Sequence, residues 1–336
     1  MTARGVLERR EMVLLRVRDE DGVEGLGEAV PLSLRGGVGL TEVVRELEGW
    51  AEHRSVEGLS APALCAVATA QADLLGRRAG SEGGAQDEAV PCNATLVAGE
   101  PREVAAAAER WAADGFTTFK LKLGAESVKT RTESGFSRTR VNDVAQVRAV
   151  REALGPEVRI RVDANEAWDL EAARRTLAEL EPFGIELAEQ PVAGLEAMAE
   201  LAGSTSIPLA ADESVASLDE AERAASLGAC AYTGIKLSKV GGPEAALAIA
   251  DILPAFITSA LDGPVGIAAG TQVAKSLAET GHPERLELAH GLATQRLFAE
   301  TIASVECELR DGMLHLPPGP GLGVEIDEDA LQAHRL

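Results

Sequence analysis

Between residues 117 and 238 one pattern recurs five times: TTFKLKLG (117–124), RIRVDAN (159–165), IELAEQP (185–191), PLAADES (208–214) and YTGIKLS (232–238). Each is a short apolar run with a charged residue near its end. The last four are followed by Ala/Leu/Glu/Arg stretches that read as helices starting near 170, 194, 217 and 242. Working outward, PCNATL (91–96) precedes a helix from about 101, FITSAL (256–261) one from 265, and LELAHGL (286–292) a last helix. Eight parallel strand–helix units of this length predict a (β/α)8 TIM-type barrel over residues 89–304.

Ahead of the barrel, EMVLLRVR (11–18) and VEGLGEA (23–29) flank the turn Asp19-Glu20-Asp21-Gly22, a β-hairpin pattern. Residues 41–53 and 62–78 then read as helices, so residues 1–88 form an α+β capping domain. The tail, VECELRDGMLHLPPGPGLGVEID, reads as a strand and Pro/Gly-rich loops, and residues 305–336 return to that domain. One segment breaks the barrel's rhythm. AESVKTRTESGFSRTR (125–140) is a polar insertion after the second barrel strand, read as a solvated excursion in preference to a mobile active-site loop.

The chain has 336 residues, 46% of them hydrophobic, enough for one large barrel and a smaller domain. Its 32 basic against 54 acidic residues give a net charge of −22, which argues against nucleic acid or an anionic membrane surface as partner. No apolar run is long enough to span a membrane, and MTARGVLERREMVLL lacks a signal-type apolar core, so the cytoplasm is expected. Cys65, Cys92, Cys230 and Cys307 are scattered without CxxC spacing and read as small hydrophobes. No HExxH or GxSxG context supports a zinc protease or a serine hydrolase. Oligomeric state is left open.

The charges at the strand ends carry the chemistry. Lys120 and Lys122 share a face of their strand, because residues i and i+2 do. Asp163, Glu189, Asp212 and Lys236 follow at intervals of 26, 23 and 24 residues, about one βα unit each, which puts them at equivalent heights on successive strands. One such charge alone reads as a solvated loop residue. Parallel strands covered by helices are apolar on both faces, however, and several buried carboxylates need a cation. Three carboxylates with no His or Cys nearby make an all-oxygen site suited to Mg²⁺. A lysine beside other cations and out of water loses basicity and can act as a general base, and a divalent cation offsets the charge of an enediolate.

KxK, the Asp of VDAN, the Glu of EQP, the Asp of ADES and the Lys of IKLSKVGG together resemble the muconate-lactonizing subgroup of the enolase superfamily, over nearly the whole chain. The resemblance implies Asp163, Glu189 and Asp212 as metal ligands for Mg²⁺, with Mn²⁺ as a substitute. It implies Lys122 and Lys236 as the catalytic residues on either face of the substrate, and Lys120 as an electrostatic neighbour of Lys122. Strand seven, FITSALDG, has no histidine, which disfavours the mandelate-racemase subgroup. Its Thr258-Ser259-Ala260-Leu261-Asp262 is similar to the SSALD segment of o-succinylbenzoate synthases, and AHGLAT (289–294) to their GLGT. Ser259, Ala260, Leu261 and Asn165 are therefore expected to contact substrate, although a strand-end hydroxyl such as Ser259 can equally cap the following helix. The family usually has a further strand before the TARG segment, with which this sequence almost begins. Its substrate-closing loop corresponds to the Gly-rich PLSLRGGVG (31–39).

The resemblance points to a carbon–oxygen lyase acting on a small-molecule carboxylate, the cyclohexadiene precursor of o-succinylbenzoate in menaquinone biosynthesis. Lys122 would remove the α-proton and return it to the departing hydroxyl, a syn elimination of water, with Lys236 as a cation–π partner of the ring. Racemisation of N-acylamino acids or epimerisation of dipeptides is the nearest alternative, and a muconate-type cycloisomerisation the third.

Overall fold

The computed structural model describes residues 9–31, 37–80, 89–125, 142–279 and 288–336, and the backbone of 127–132 and 135–140. The start of the chain, most of the Pro31–Gly39 loop and the first part of the expected eighth strand lie outside the described residues. The chain divides into two compact units. One contains Cys92–Gly234 and Ile252–Ala255; the other contains Glu8–Pro91, Ile235–Asp251 and Phe256–Leu336.

The second of these units opens with strands β1 (Val13–Arg18) and β2 (Glu24–Ala29), paired antiparallel from Val13↔Ala29 to Arg18↔Glu24. Their turn forms as its sequence demands. The Asp19 carboxylate accepts from the Asp21 and Val23 amides at 3.0 and 2.9 Å, and Gly22 takes φ 84°. Helices α1 (Leu40–His53) and α2 (Ala61–Ala79) follow, and Val43, Leu47, Trp50, Ala63, Ala66 and Val67 bury a core with Ala29. Two glycines let α2 lie directly on β2. A Cβ at Gly25 or Gly27 would fall 2.2 Å from the Ala70 carbonyl oxygen or 1.9 Å from that of Ala66. Buried Asp73 on α2 accepts from the Leu26 amide at 2.7 Å, the Leu322 amide at 2.6 Å and Arg77 Nε at 2.9 Å, joining early and late parts of the sequence. The short strand β3 (Ala89–Pro91) closes this part.

The first unit is built on parallel strands: β4 (Ala94–Leu96), β5 (Thr118–Lys122), then, past a hairpin, β8 (Arg159–Asp163), β9 (Ile185–Glu189), β10 (Leu209–Ala211) and β11 (Tyr232–Ile235). Between them run α3 (Pro101–Ala113), α4 (Asp143–Leu154), α5 (Leu170–Leu180), α6 (Leu195–Ala202) and α7 (Leu218–Leu227). The caps follow sequence rules: Asn142, Asp169 and Ser217 each accept a backbone N–H of the first turn of α4, α5 and α7. The backbone of the insertion is regular. It forms the hairpin β6 (Ser127–Thr132) and β7 (Gly135–Arg140), paired antiparallel from Ser127↔Arg140 to Thr132↔Gly135.

After β11 come the one-turn helix α8 (Leu237–Val240), α9 (Pro243–Ile252), β12 (Ala255–Ile257) and α10 (Pro264–Glu279). The curled sheet runs β4-β5-β8-β9-β10-β11-β12, seven strands among the described residues where the sequence predicts eight. Where the eighth is expected, Gly291 makes an isolated parallel bridge with Thr258. The expected last α-helix is instead a 3-10 helix, Ala293–Leu297. It is cut short as the chain turns extended at Phe298, with Gln295 Nε2 tied to the Cys307 carbonyl at 2.9 Å. The tail adds β13 (Ala303–Val305), β14 (Glu308–Arg310), β15 (Met313–His315), β16 (Glu325–Ile326) and α11 (Glu328–Ala333). β14, β15 and β3 form one sheet, and β13 pairs with β16. All four cysteines are free, and burial pushes the Cys65 and Cys307 thiols up to about 12. Among the described residues no helix is long and apolar enough to cross a membrane.

Candidate active site

Strand register assembles the charges of the first unit. Lys122 on β5 stands opposite Asp163 on β8, which stands opposite Glu189 on β9, while Glu189 faces Ala210 on β10, two residues before Asp212. Lys120 lies on the same face of β5 as Lys122, one pleat earlier. The carboxylates of Asp163, Glu189 and Asp212 belong to residues only 0, 1 and 2% exposed, so none has bulk water to stabilise its charge.

The two lysines balance much of that charge. Lys120 Nζ donates to both Glu189 oxygens at 3.2 and 3.1 Å and lies 3.2 Å from Asp163. Lys122 Nζ donates to the Asp163 carboxylate and, at 2.9 Å, to Asn165 Oδ1. Burial alone would lift Asp163, but Lys122 and Lys120 outweigh it and hold the carboxyl well below the usual range. Burial and neighbouring Asp163 raise Glu189 against the pull of Lys120. Lys120 is opposed by burial yet raised by Glu189, Asp163 and Asp212, so it is a fixed cation. Lys122 goes the other way: burial and then neighbouring Lys120 outweigh Asp163 and lower its pKa below the usual lysine value. The two neighbouring lysines are thus shifted in opposite directions.

Asn165, expected at the substrate, accepts from Lys122. It adopts φ 48°, its amide donates to Asp163 Oδ1 at 3.1 Å, and its Nδ2 donates to Glu213 Oε1 at 3.1 Å. Gln190 was not singled out from sequence, yet it organises the backbone at Asp212. Fully buried at φ 38°, it accepts from the Asp212 and Ser214 amides at 2.9 and 3.2 Å and donates to Ser214 Oγ at 2.7 Å. Its only signal in the sequence was adjacency to Glu189 in EQP.

The donor chemistry fits a hard divalent cation: three buried carboxylates on adjacent strands against two ammonium groups, with no sulfur or imidazole among them. In this arrangement no three acidic, His or Cys side chains among the described residues already converge as a cage, because Lys120 lies within 3.2 Å of both Asp163 and Glu189.

The remaining expected site residues lie in the second unit. Lys236 directly follows β11 and is the cap residue of α8, its carbonyl accepting from the Lys239 amide at 2.9 Å. Ser259 Oγ accepts from the Asp262 amide at 2.9 Å, within the turn that precedes α10. The Ala260 amide donates to Asp262 Oδ2 at 2.8 Å, and Leu261 takes φ 64°.

Comparison with known proteins shows what the chain as a whole resembles. The model of the family described as Enolase C-terminal domain-like matches residues 103–330. The o-succinylbenzoate synthase of Thermobifida fusca (strain YX) is 40% identical over 213 residues, which cover 63% of this chain and 61% of that protein's length. The muconate cycloisomerase 1 of Pseudomonas putida is 29% identical over 364 aligned residues, covering 97% of this chain and 90% of its own. Among solved structures, the dipeptide epimerase from Enterococcus faecalis V583 complexed with Mg and dipeptide L-Leu-L-Tyr superposes with a TM-score of 0.81 at 26% identity, over 96% of this chain and 94% of that one.

Proposed function

The chain belongs to the Enolase C-terminal domain-like family and is an enzyme of the enolase superfamily, and on that premise we propose that it is an o-succinylbenzoate synthase-like dehydratase. The observation that carries the reading is Lys122: half-buried, braced by Asp163 and Asn165, and made less basic by desolvation and by Lys120. Neutral Lys122 Nζ takes the proton α to the substrate carboxylate. The same nitrogen then delivers that proton to the β-hydroxyl as its C–O bond breaks, so one water leaves and the double bond forms on one face. A divalent cation, Mg²⁺ or Mn²⁺ in its place, held by Asp163, Glu189 and Asp212 would supply the charge that stabilises the enediolate. Lys120 keeps Lys122 in its weakly basic state, and Lys236 is assigned the role of a second ammonium against the anion.

The greater identity to the synthase than to the cycloisomerase, and the SALD sequence after strand seven, favour this substrate class over cyclisation. Under the same reading the enzyme serves menaquinone synthesis in the cytoplasm. A complete eight-stranded barrel over 89–304, with residues 1–88 and 305–336 as its capping domain, is part of the proposal. The bridge from Thr258 to Gly291 and the bond from the His290 amide to the Pro91 carbonyl at 2.7 Å support the closure. The donors to Asp73 from Leu26 and Leu322 support the capping domain. Epimerisation of dipeptides is the second reading, favoured by the structural likeness to the epimerase. Assay of the purified protein against the dehydration substrate and against N-acylamino acids and dipeptides tests the assignment. Racemisation or epimerisation without dehydration would overturn it.

A further inference from the structure

The segment after β12, Ser259–Gly263, is tied down by hydrogen bonds. Two of its ties come from far away in the sequence. Glu28, at the end of the β2 run and 3% exposed, accepts from the Gly263 amide through Oε1 at 2.7 Å. Arg10 Nη2 donates to the Ala260 carbonyl at 3.2 Å and to the Pro31 carbonyl at 2.8 Å. The fit around Glu28 is exact enough to dictate its neighbours. A Cβ at Gly263 would lie 2.7 Å from Glu28 Oε2, and one at Gly266 would lie 2.8 Å from Oε1.

Glu28 is an expensive residue for a merely structural role. Its Oε2 is buried with no hydrogen-bond partner, beside a second buried acid, Asp262, and a small cavity lined in part by Glu28, Cys65, Thr258, Asp262 and Leu292 adjoins it. An apolar side chain would fill that space without the cost of dehydrating a carboxyl. What an apolar side chain cannot do is accept from Gly263 and so set where the strained turn at Leu261, φ 64°, begins and ends.

We propose that Glu28 is a positioning residue for substrate choice: through the Gly263 amide it fixes the Ser259–Leu261 segment, while Arg10 fixes the same segment at the Ala260 carbonyl. This inference rests on the assignment of that segment to substrate contact under the proposed function.

The test is steady-state kinetics of the full chain and of Glu28→Ala, Glu28→Gln, Arg10→Met and Ser259→Ala, using whichever carboxylate substrate the wild type turns over. Glu28→Ala is expected to raise KM about tenfold with kcat changed less than about threefold, because the segment touches substrate and not the transferred proton. Glu28→Gln, which keeps an acceptor for Gly263, is expected to restore KM to within about twofold of wild type. Arg10→Met leaves Glu28 in place and serves if Glu28→Ala does not fold; it is expected to raise KM in the same sense. Unchanged KM in Glu28→Ala or, where that variant is unfolded, in Arg10→Met overturns the proposal, whatever happens to the melting temperature. If Ser259→Ala shifts KM while Glu28→Ala does not, the positioning role falls and the functional reading stands. If the wild type epimerises but does not dehydrate, and Glu28→Ala raises KM for the epimerised substrate, the functional reading falls and the positioning role stands.

Discussion

Lys122 and Asp163 occupy the same rung of the parallel ladder between β5 and β8, and the lysine ammonium donates directly to the carboxylate. A candidate base and a candidate metal ligand are thus set at one height by backbone register alone. The distance between them is governed by sheet geometry, not by two flexible side chains finding each other.

Removal of divalent cation with EDTA should abolish turnover, and Mg²⁺ should restore it. Asp163→Asn, Glu189→Gln and Asp212→Asn should each lower kcat by roughly a hundredfold or more, because each removes one anionic donor. Circular dichroism should show the fold retained. Full turnover by metal-free protein would remove the metal from the mechanism.

Lys122→Ala should stop both product formation and exchange of the substrate α-proton with deuterated solvent. Since burial lowers the Lys122 pKa, the rising limb of kcat/KM against pH should fall below the ordinary lysine value of 10.5. Exchange that continues in Lys122→Ala would transfer the base role to another residue.

Dehydration and racemisation make opposite demands on Lys236. A one-base elimination needs only its charge, so Lys236→Arg should keep measurable dehydration. A two-base racemase needs it to lose and regain a proton, which an arginine with a pKa above about 12 does not do near neutral pH. Racemisation by Lys236→Arg would contradict this division of labour.

Glu28 should make the fold less stable as pH rises. Burial and then Asp262 raise its carboxyl from 4.5 to about 8, against the backbone amides of Gly263, Gly266 and Val265. The folded state therefore keeps a proton that the unfolded chain has already lost between those values, so stability is highest below about 4.5 and declines up to about 8. Asp262, also raised by burial, adds in the same sense, while Arg10 opposes it. Glu28→Gln should remove roughly 2–4 kcal/mol of that decline, read as a smaller loss of melting temperature between pH 5 and about 8. An identical pH slope in the variant would refute the assignment.

The parallel strands were legible because an apolar run ending in a charge is rare enough to stand out, as in PLAADES and RIRVDAN. The same contrast exposed Lys120, Lys122, Asp163, Glu189 and Asp212. Other features carry no local pattern. SVKTRT and GFSRTR read as a solvated excursion because polar residues outnumber apolar ones in both, which weakens the period-2 signal. Gln190 carries no mark of its own in EQP, and its bond to the Asp212 amide depends on a partner 22 residues away. Glu28 ends an ordinary hairpin strand; the amide it holds is 235 residues further on. Contacts of that range belong to the fold and leave no trace in the spacing of residues.

Asp73 gives the chain a direction in time. Its donors are the Leu26 amide, available early, and the Leu322 amide, which lies 249 residues later in the sequence. A ribosome delivers Cys92–Gly234 as one continuous piece long before it delivers Leu322. Synthesis should therefore complete the segment bearing Lys122 and Asp163 first, while the unit that starts earlier waits, half closed, for nearly the last residues to emerge.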